Sequence, residues 1–298
     1  MKSKLQFILS MVIFGTIGVF VRYIDLSSSE IALLRSLIGS LFLLTVMLIL
    51  KKRITWKIVK ANALFLVLSS IALGANWIFL FEAYKHTTIS NAALSYYFAP
   101  VFVLIVSPIV LKEKLSTKKM ICIVFAMLGM SMIIGNGGIS TSGLDDLIGI
   151  GYGLIAAAFY ASLMLLNKFI KSMDGLETTF IQLGMAAILL MPYVFITEGF
   201  NILEVTISSI PFILTLGIIH TGIGFLLFFS SMQRLKAQSI AALSYVDPIT
   251  SLVISILILQ EQMTIVQLLG GALLLGSTFV SENEAIKFPK RIRKQRIS

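Results

Sequence analysis

The sequence predicts an all-α membrane protein of ten transmembrane helices built as two inverted five-helix repeats. Three observations predict it. The 298 residues are 57% hydrophobic and only 13% charged, against roughly 25% charged in soluble domains, and mean hydropathy is +0.97. Ten apolar runs follow one another along the chain, each near the ~20 residues that cross ~30 Å of hydrocarbon. The pentapeptide AALSY occurs twice, at residues 92–96 and 241–245.

Taken in order, the spans are expected at about 5–21, 31–50, 62–84, 91–111, 120–135, 147–167, 177–197, 211–232, 239–259 and 265–281. The first and fifth read as short. Lys2 and Lys4 ahead of an apolar run resemble a secretion signal, but no small-residue cleavage site follows, so a retained first helix is expected. Lipid offers the backbone no hydrogen-bond partner, and a barrel would alternate polar with apolar residues. These runs are apolar on every face, which leaves helix.

With the N-terminus on the cytoplasmic side, 21 of the 24 Lys and Arg fall in the tails and inner loops, the outer loops hold Arg22 and Lys85, and Arg35 lies within the second span. The positive-inside rule therefore predicts a multi-pass cytoplasmic-membrane protein with both termini cytoplasmic. Net charge +10 then marks topology, not nucleic acid. The tail Lys287, Lys290, Arg291, Arg293, Lys294 and Arg296 reads as a topology signal or a contact with anionic headgroups.

The repeat extends beyond the pentapeptide. Each copy is followed by a proline (Pro100, Pro248), an apolar run and a glutamate before a polar connector (Glu113, Glu261). A Gly- and Ser-rich linker at 135–143 separates the halves, giving units at 1–139 and 140–286 with a basic tail at 287–298. Five is odd, so the second unit enters the membrane in the opposite sense. Glu113 accordingly lies in a basic inner loop and Glu261 in an outer loop without Lys or Arg. Inverted repeats are a recurrent way to build a carrier, since similar halves can open a central site to either side.

Small residues, Pro, an apolar run, Glu and a Gly-containing last span (Pro100, Glu113 and Gly129; Pro248, Glu261, Gly270 and Gly271) resemble the EamA-type repeat of the drug/metabolite transporter superfamily, over nearly the whole chain. The resemblance implies a ten-helix carrier that exports, or in some members imports, small metabolites such as amino acids, amines or sugars. It implies a scaffold role at helix ends for the repeated Pro and Glu. The acid before the second proline, Asp247, also resembles the family pattern, whereas the first half has Ala99 there.

A charge in hydrocarbon costs at least about 2.5 kcal/mol, so each polar residue within a span should face a cavity or a partner. Helical rise puts Asp247 about 12 Å from the cytoplasmic edge and His220 about 14 Å from the outer edge, both near the midplane. Asp247 is expected to serve as counter-ion or proton acceptor with His220 sharing the role. The alternative is a hydrogen-bonded residue in the kink at Pro248, which frees a carbonyl beside Ser244 and Tyr245. Arg35 is expected to pair with Glu82, or else to grip a substrate carboxylate with its planar fork. Asn76, Trp77, Tyr96, Tyr97 and Tyr245 are candidates to line an amphipathic pocket.

No enzyme is expected. The sequence lacks a P-loop and HExxH, GIGYG at 149–153 has no strand before it, and Cys122 is the single cysteine beside two histidines, so neither cofactor nor metal is predicted. The expected activity is secondary transport of a small-molecule substrate by alternating access, as a monomer or homodimer in the lipid bilayer. Protons are the candidate coupling ion. A flippase for a lipid-linked intermediate, an importer of a small organic cation, or a membrane protein with no transport activity are the competing readings.

Overall fold

In the computed structural model, residues 2–112, 116–137, 143–199, 205–232, 235 and 243–282 are described. Among them the chain is helical, without a strand. The helices are α1 (Lys2–Gly15), α2 (Ile17–Arg22), α3 (Ser28–Ile49), α4 (Trp56–Ala61), α5 (Ala63–His86), α6 (Ile89–Tyr96), α7 (Ala99–Val110), α8 (Thr117–Gly137), α9 (Gly143–Asn167), α10 (Gly175–Glu198), α11 (Ile210–Leu214), α12 (Gly224–Met232), α13 (Val246–Leu257) and α14 (Ile265–Glu282). A π-helical segment, Thr215–Ile223, joins α11 to α12.

Seven helical stretches are long and apolar enough to cross a membrane, and two shorter apolar helices follow at Val246–Leu257 and Ile265–Ser281. Their outward faces carry large apolar side chains, among them Leu64, Ile109, Ile188, Ile196 and Ile265. A water-exposed surface would not tolerate so continuous an apolar belt, so the chain is a multi-pass membrane protein. The expected first and fifth spans, 5–21 and 120–135, are longer than the sequence suggested: helical structure covers Lys2–Arg22 and Thr117–Gly137, because lysines and hydroxyl residues at the ends continue the helix past the apolar run.

Three stretches deviate from straight helix. The first breaks at Thr16, between α1 and α2. The fourth breaks at Tyr97 and Phe98, because Pro100 has no N–H to give the Tyr96 carbonyl one turn earlier. The third is the π segment, where the Thr221 hydroxyl donates to the Leu216 carbonyl, 2.9 Å, and the His220 ring to that of Thr215, 3.1 Å. All three fall within the bundle, and the site gathers around them.

One core cluster joins α2, α3, α5, α9, α10 and the π segment through residues such as Leu43, Phe81, Leu183 and Leu216. A second joins α6, α7, α8, α9 and α14 through Leu94, Val101, Ile133 and Leu274. Where α8 crosses α14, a Cβ on Gly129 would stand 2.6 Å from the Gly270 carbonyl oxygen, so the backbones touch only because both positions lack a side chain.

Candidate functional site

Arg35 lies seven residues into α3, with 3% of its surface exposed. Its Nε donates to Thr221 Oγ1 at 2.8 Å, and the guanidinium lies 4.2 Å from the centroid of the Trp77 ring and 5.9 Å from that of Phe81. Trp77 and Phe81 are four residues apart on α5 and so share one face. A planar cation over an indole face is held by the ring's quadrupole without being neutralised.

The expected Arg35–Glu82 ion pair does not form. Glu82 accepts a 2.6 Å hydrogen bond from Ser28 and pairs with Lys85 and His86, each at 3.5 Å. Glu82 therefore sits level with the first residue of α3, while Arg35 lies about 10 Å deeper by helical rise. Trp77, five residues deeper on the antiparallel α5, meets Arg35 instead. Among the described residues no carboxylate forms a salt bridge with Arg35.

Asp247 occupies the first turn of α13, directly before the buried Pro248. The Tyr97 hydroxyl, at the break between α6 and α7, lies beside its carboxylate. Tyr84 and Tyr96 interact electrostatically with both Asp247 and Arg35. Tyr96 stacks on Tyr160 at 5.3 Å and meets Tyr97 edge-on at 5.7 Å. Asn76 donates from Nδ2 to the Ala156 carbonyl at 2.8 Å, and among the described residues its buried Oδ1 accepts no hydrogen bond.

His220, 2% exposed, bonds residues other than Asp247. A carbonyl can only accept, so Nδ1–H is the group facing Thr215, which leaves Nε2 opposite Thr16 Oγ1 at 2.8 Å. The ring also packs edge-on against Phe20, 4.8 Å between centroids. Contact with Asp247 is indirect: a Cβ on Gly15, beside Thr16, would stand 2.7 Å from the Asp247 carbonyl oxygen, so the break after α1 touches both residues.

Tyr245 stands directly before α13 and packs edge-on against Phe279 at 5.3 Å. Pro100 opens α7. Glu113 lies outside the described residues, as do 241 and 242 of the second pentapeptide. Glu261 is held by Arg22 at 2.8 Å, by Ser255 Oγ at 2.6 Å, and by the N–H groups of Ile89 and Ser90 at 2.9 and 3.1 Å.

Sequence reasoning missed Thr221, Thr16, Tyr84 and Tyr160. Tyr84 was within reach, since Trp77, Phe81 and Tyr84 follow the i, i+4, i+7 spacing of one helix face. Thr16 and Thr221 were not: intramembrane hydroxyls are common in this chain, and most of them, such as Ser36, Ser70 and Ser162, bond a carbonyl of their own helix.

The residues brought together are a buried cation on an aromatic shelf, a carboxylate beside a proline break, and tyrosines that interact with both charges. Comparison with known proteins gives the family. The EamA-like transporter family matches residues 1–135 and 147–282. The chain is similar to the Bacillus subtilis (strain 168) protein named uncharacterized transporter YxxF, 34% identical over 85% of this chain and 80% of that protein. An uncharacterized transporter of Archaeoglobus fulgidus is 26% identical over 93% of this chain and 95% of its own. One solved crystal structure shares the fold, with TM-score 0.61 over 94% of this chain and 96% of that one at 16% identity. With both halves matched and a relative this similar over most of its length, the chain belongs to the EamA-like transporter family.

Proposed function

We propose that the protein is a secondary carrier, an exporter of small amino-acid-like or amine metabolites across the cytoplasmic membrane, working by alternating access. In this reading α8, α13 and α14 complete ten spans with the seven longer stretches, residues 1–139 and 140–286 form two inverted five-helix units, and both termini and the basic tail are cytoplasmic. The helix pairing supports two related halves. The third span packs along the sixth (α5 on α9) as the eighth packs along the first (α12 on α1), and the second packs along the seventh (α3 on α10) as the fifth does along the tenth (α8 on α14). The residue before each repeated glutamate is also left-handed, Lys112 at φ 55° and Gln260 at φ 54°.

The observation that carries the substrate reading is the unneutralised charge of Arg35. A guanidinium buried without a carboxylate partner is costly unless an anion joins it. Thr221 takes its Nε, and the remaining donors form a fork matched to a carboxylate. Asp247, across the tyrosines, suits an ammonium, and it is also the group placed to take up a proton. Export rests on the family resemblance.

The test is counterflow uptake by the purified protein in liposomes, with a panel of amino acids, amines, sugars and nucleobases and an imposed pH difference. Amino acids or amines are expected to exchange, Asp247→Asn to remove the pH dependence at normal expression, and Arg35→Lys to weaken carboxylate substrates selectively. Uptake confined to sugars or nucleobases would overturn the substrate reading. Lipid translocation without uptake of any solute would replace it with the flippase.

A further inference from the structure

We propose that Glu261 and Arg22 form a latch that closes one end of the bundle, and that its release exposes Tyr97 and Asp247 on that side. The inference rests on the carrier reading above and adds to it the contact whose breakage changes the accessible side.

Glu261 lies in the connector between α13 and α14, yet its contacts reach two other elements. Its carboxylate accepts from the backbone N–H groups of Ile89 and Ser90 at the start of α6, and from Ser90 Oγ at 3.2 Å. It also accepts from Ser255 Oγ near the end of α13 and pairs with Arg22 at the end of α2. The hydroxyls of Ser90 and Ser255 contact each other as well. Five donors thus converge on one side chain that is 6% exposed, while the arginine is 35% exposed. The carboxylate is buried beneath a cation that is partly exposed.

A local cap would have satisfied α6 without any of this. Thr88 already accepts from the Asn91 N–H at 3.1 Å, as an N-cap residue does. The long-range carboxylate is an additional tie, and the three elements it pins carry the site. α6 ends at Tyr96 and Tyr97, about 12 Å by helical rise from the tied end. α2 starts next to Thr16, and α13 begins beside Asp247. Gln260, at φ 54°, and the Glu261 N–H bonded to the Ser255 carbonyl at 3.2 Å fold the connector back so that the carboxylate points at α6. If α6 tilts away, Ser255 and Arg22 still hold the charge, so the tie can open without leaving a bare carboxylate in lipid. The opposite end is fastened by unrelated groups: Lys52 bonds Asp174 at 2.5 Å, and Asn62 bonds the Lys171 backbone. The two ends can therefore open separately.

The test reads accessibility and needs no substrate. In a Cys122→Ser background, Tyr97→Cys supplies a single thiol beside Asp247, labelled by a membrane-impermeant maleimide applied from the side of Glu261. Adding Glu261→Gln should raise the labelling rate about tenfold, which corresponds to about 1.4 kcal/mol in the closed-to-open balance, and Glu261→Asp should stay near the parent rate. In the intact protein with Arg22→Cys and Glu261→Cys, cross-linking the pair should stop counterflow, and reduction should restore it. A labelling rate unchanged by Glu261→Gln, or transport that continues through the cross-linked pair, overturns the latch. If Glu261→Gln does not fold, Arg22→Gln in the same background decides: it should raise the labelling rate, and an unchanged rate overturns the latch. A protein that shows gated labelling yet moves no solute would instead tell against the carrier reading.

Discussion

Removing the Thr221 hydroxyl should cost stability through the two hydrogen bonds it makes. Thr221 is fully buried and Arg35 nearly so, and their 2.8 Å contact links α3 to the π segment. Thr221→Val keeps the volume and shape, so no cavity forms and the whole effect is polar. The guanidinium loses an acceptor with no water at hand to replace it, and the Leu216 carbonyl loses the donor at 2.9 Å. A hydrogen bond to a charged group contributes about 1.5–3 kcal/mol, or roughly 10- to 100-fold in the equilibrium that holds Arg35 over Trp77. Thr221→Ser keeps the hydroxyl and loses one methyl, about 1 kcal/mol or less. Unfolding of the purified protein in micelles should therefore rank wild type above Ser above Val, and the half-saturating concentration for a carboxylate substrate in counterflow should rise most in Val. A valine variant as stable and as active as wild type, or a serine variant as damaged as valine, would refute Thr221 as the group that orients Arg35.

Gly129→Ala should destabilise by about 1–3 kcal/mol, because the new Cβ meets the Gly270 carbonyl oxygen and the Leu274 backbone nitrogen, neither of which can swing aside. Gly276→Ala on the same helix pair meets open space and should leave unfolding in micelles unchanged or slightly improved. At the membrane edge, burial tends to raise the Asp174 carboxyl, but the Lys52 ammonium and the Glu177 N–H outweigh it and hold the group below its usual range. A depressed carboxyl adds stability above its unfolded value, near pH 4, and that stability is lost as pH falls through the lower folded value. The pair is well exposed, so Asp174→Asn, which can still cap α10, should cost only a few tenths of a kcal/mol at pH 7, whereas Asp174→Ala should cost about 1 kcal/mol through the lost cap. Equal losses in the two variants, measured by the same unfolding assay across pH, would contradict this division.

Much of the architecture is legible in the residues because lipid is an unforgiving solvent. A backbone with no water must close its hydrogen bonds within a helix, so the apolar runs announce the helices and the prolines announce where they break. The repeated AALSY, Pro and Glu stand in the sequence itself and predict two related halves. Arg35, Trp77, Asn76, Tyr96, Tyr97 and Asp247 stand out because a polar group in hydrocarbon needs a reason. What the sequence could not state is who partners whom. Glu82 looked level with Arg35 until α3 was seen to begin at Ser28, which sets its register against α5 and delivers the arginine to Trp77. Thr16 and Thr221 look like any other intramembrane hydroxyl until the break after α1 and the π segment turn them toward His220 and Arg35. Helix identity is local chemistry and can be read along the chain. The rotation and depth of one helix against another follow from packing over the whole bundle, and only the tertiary structure decides them.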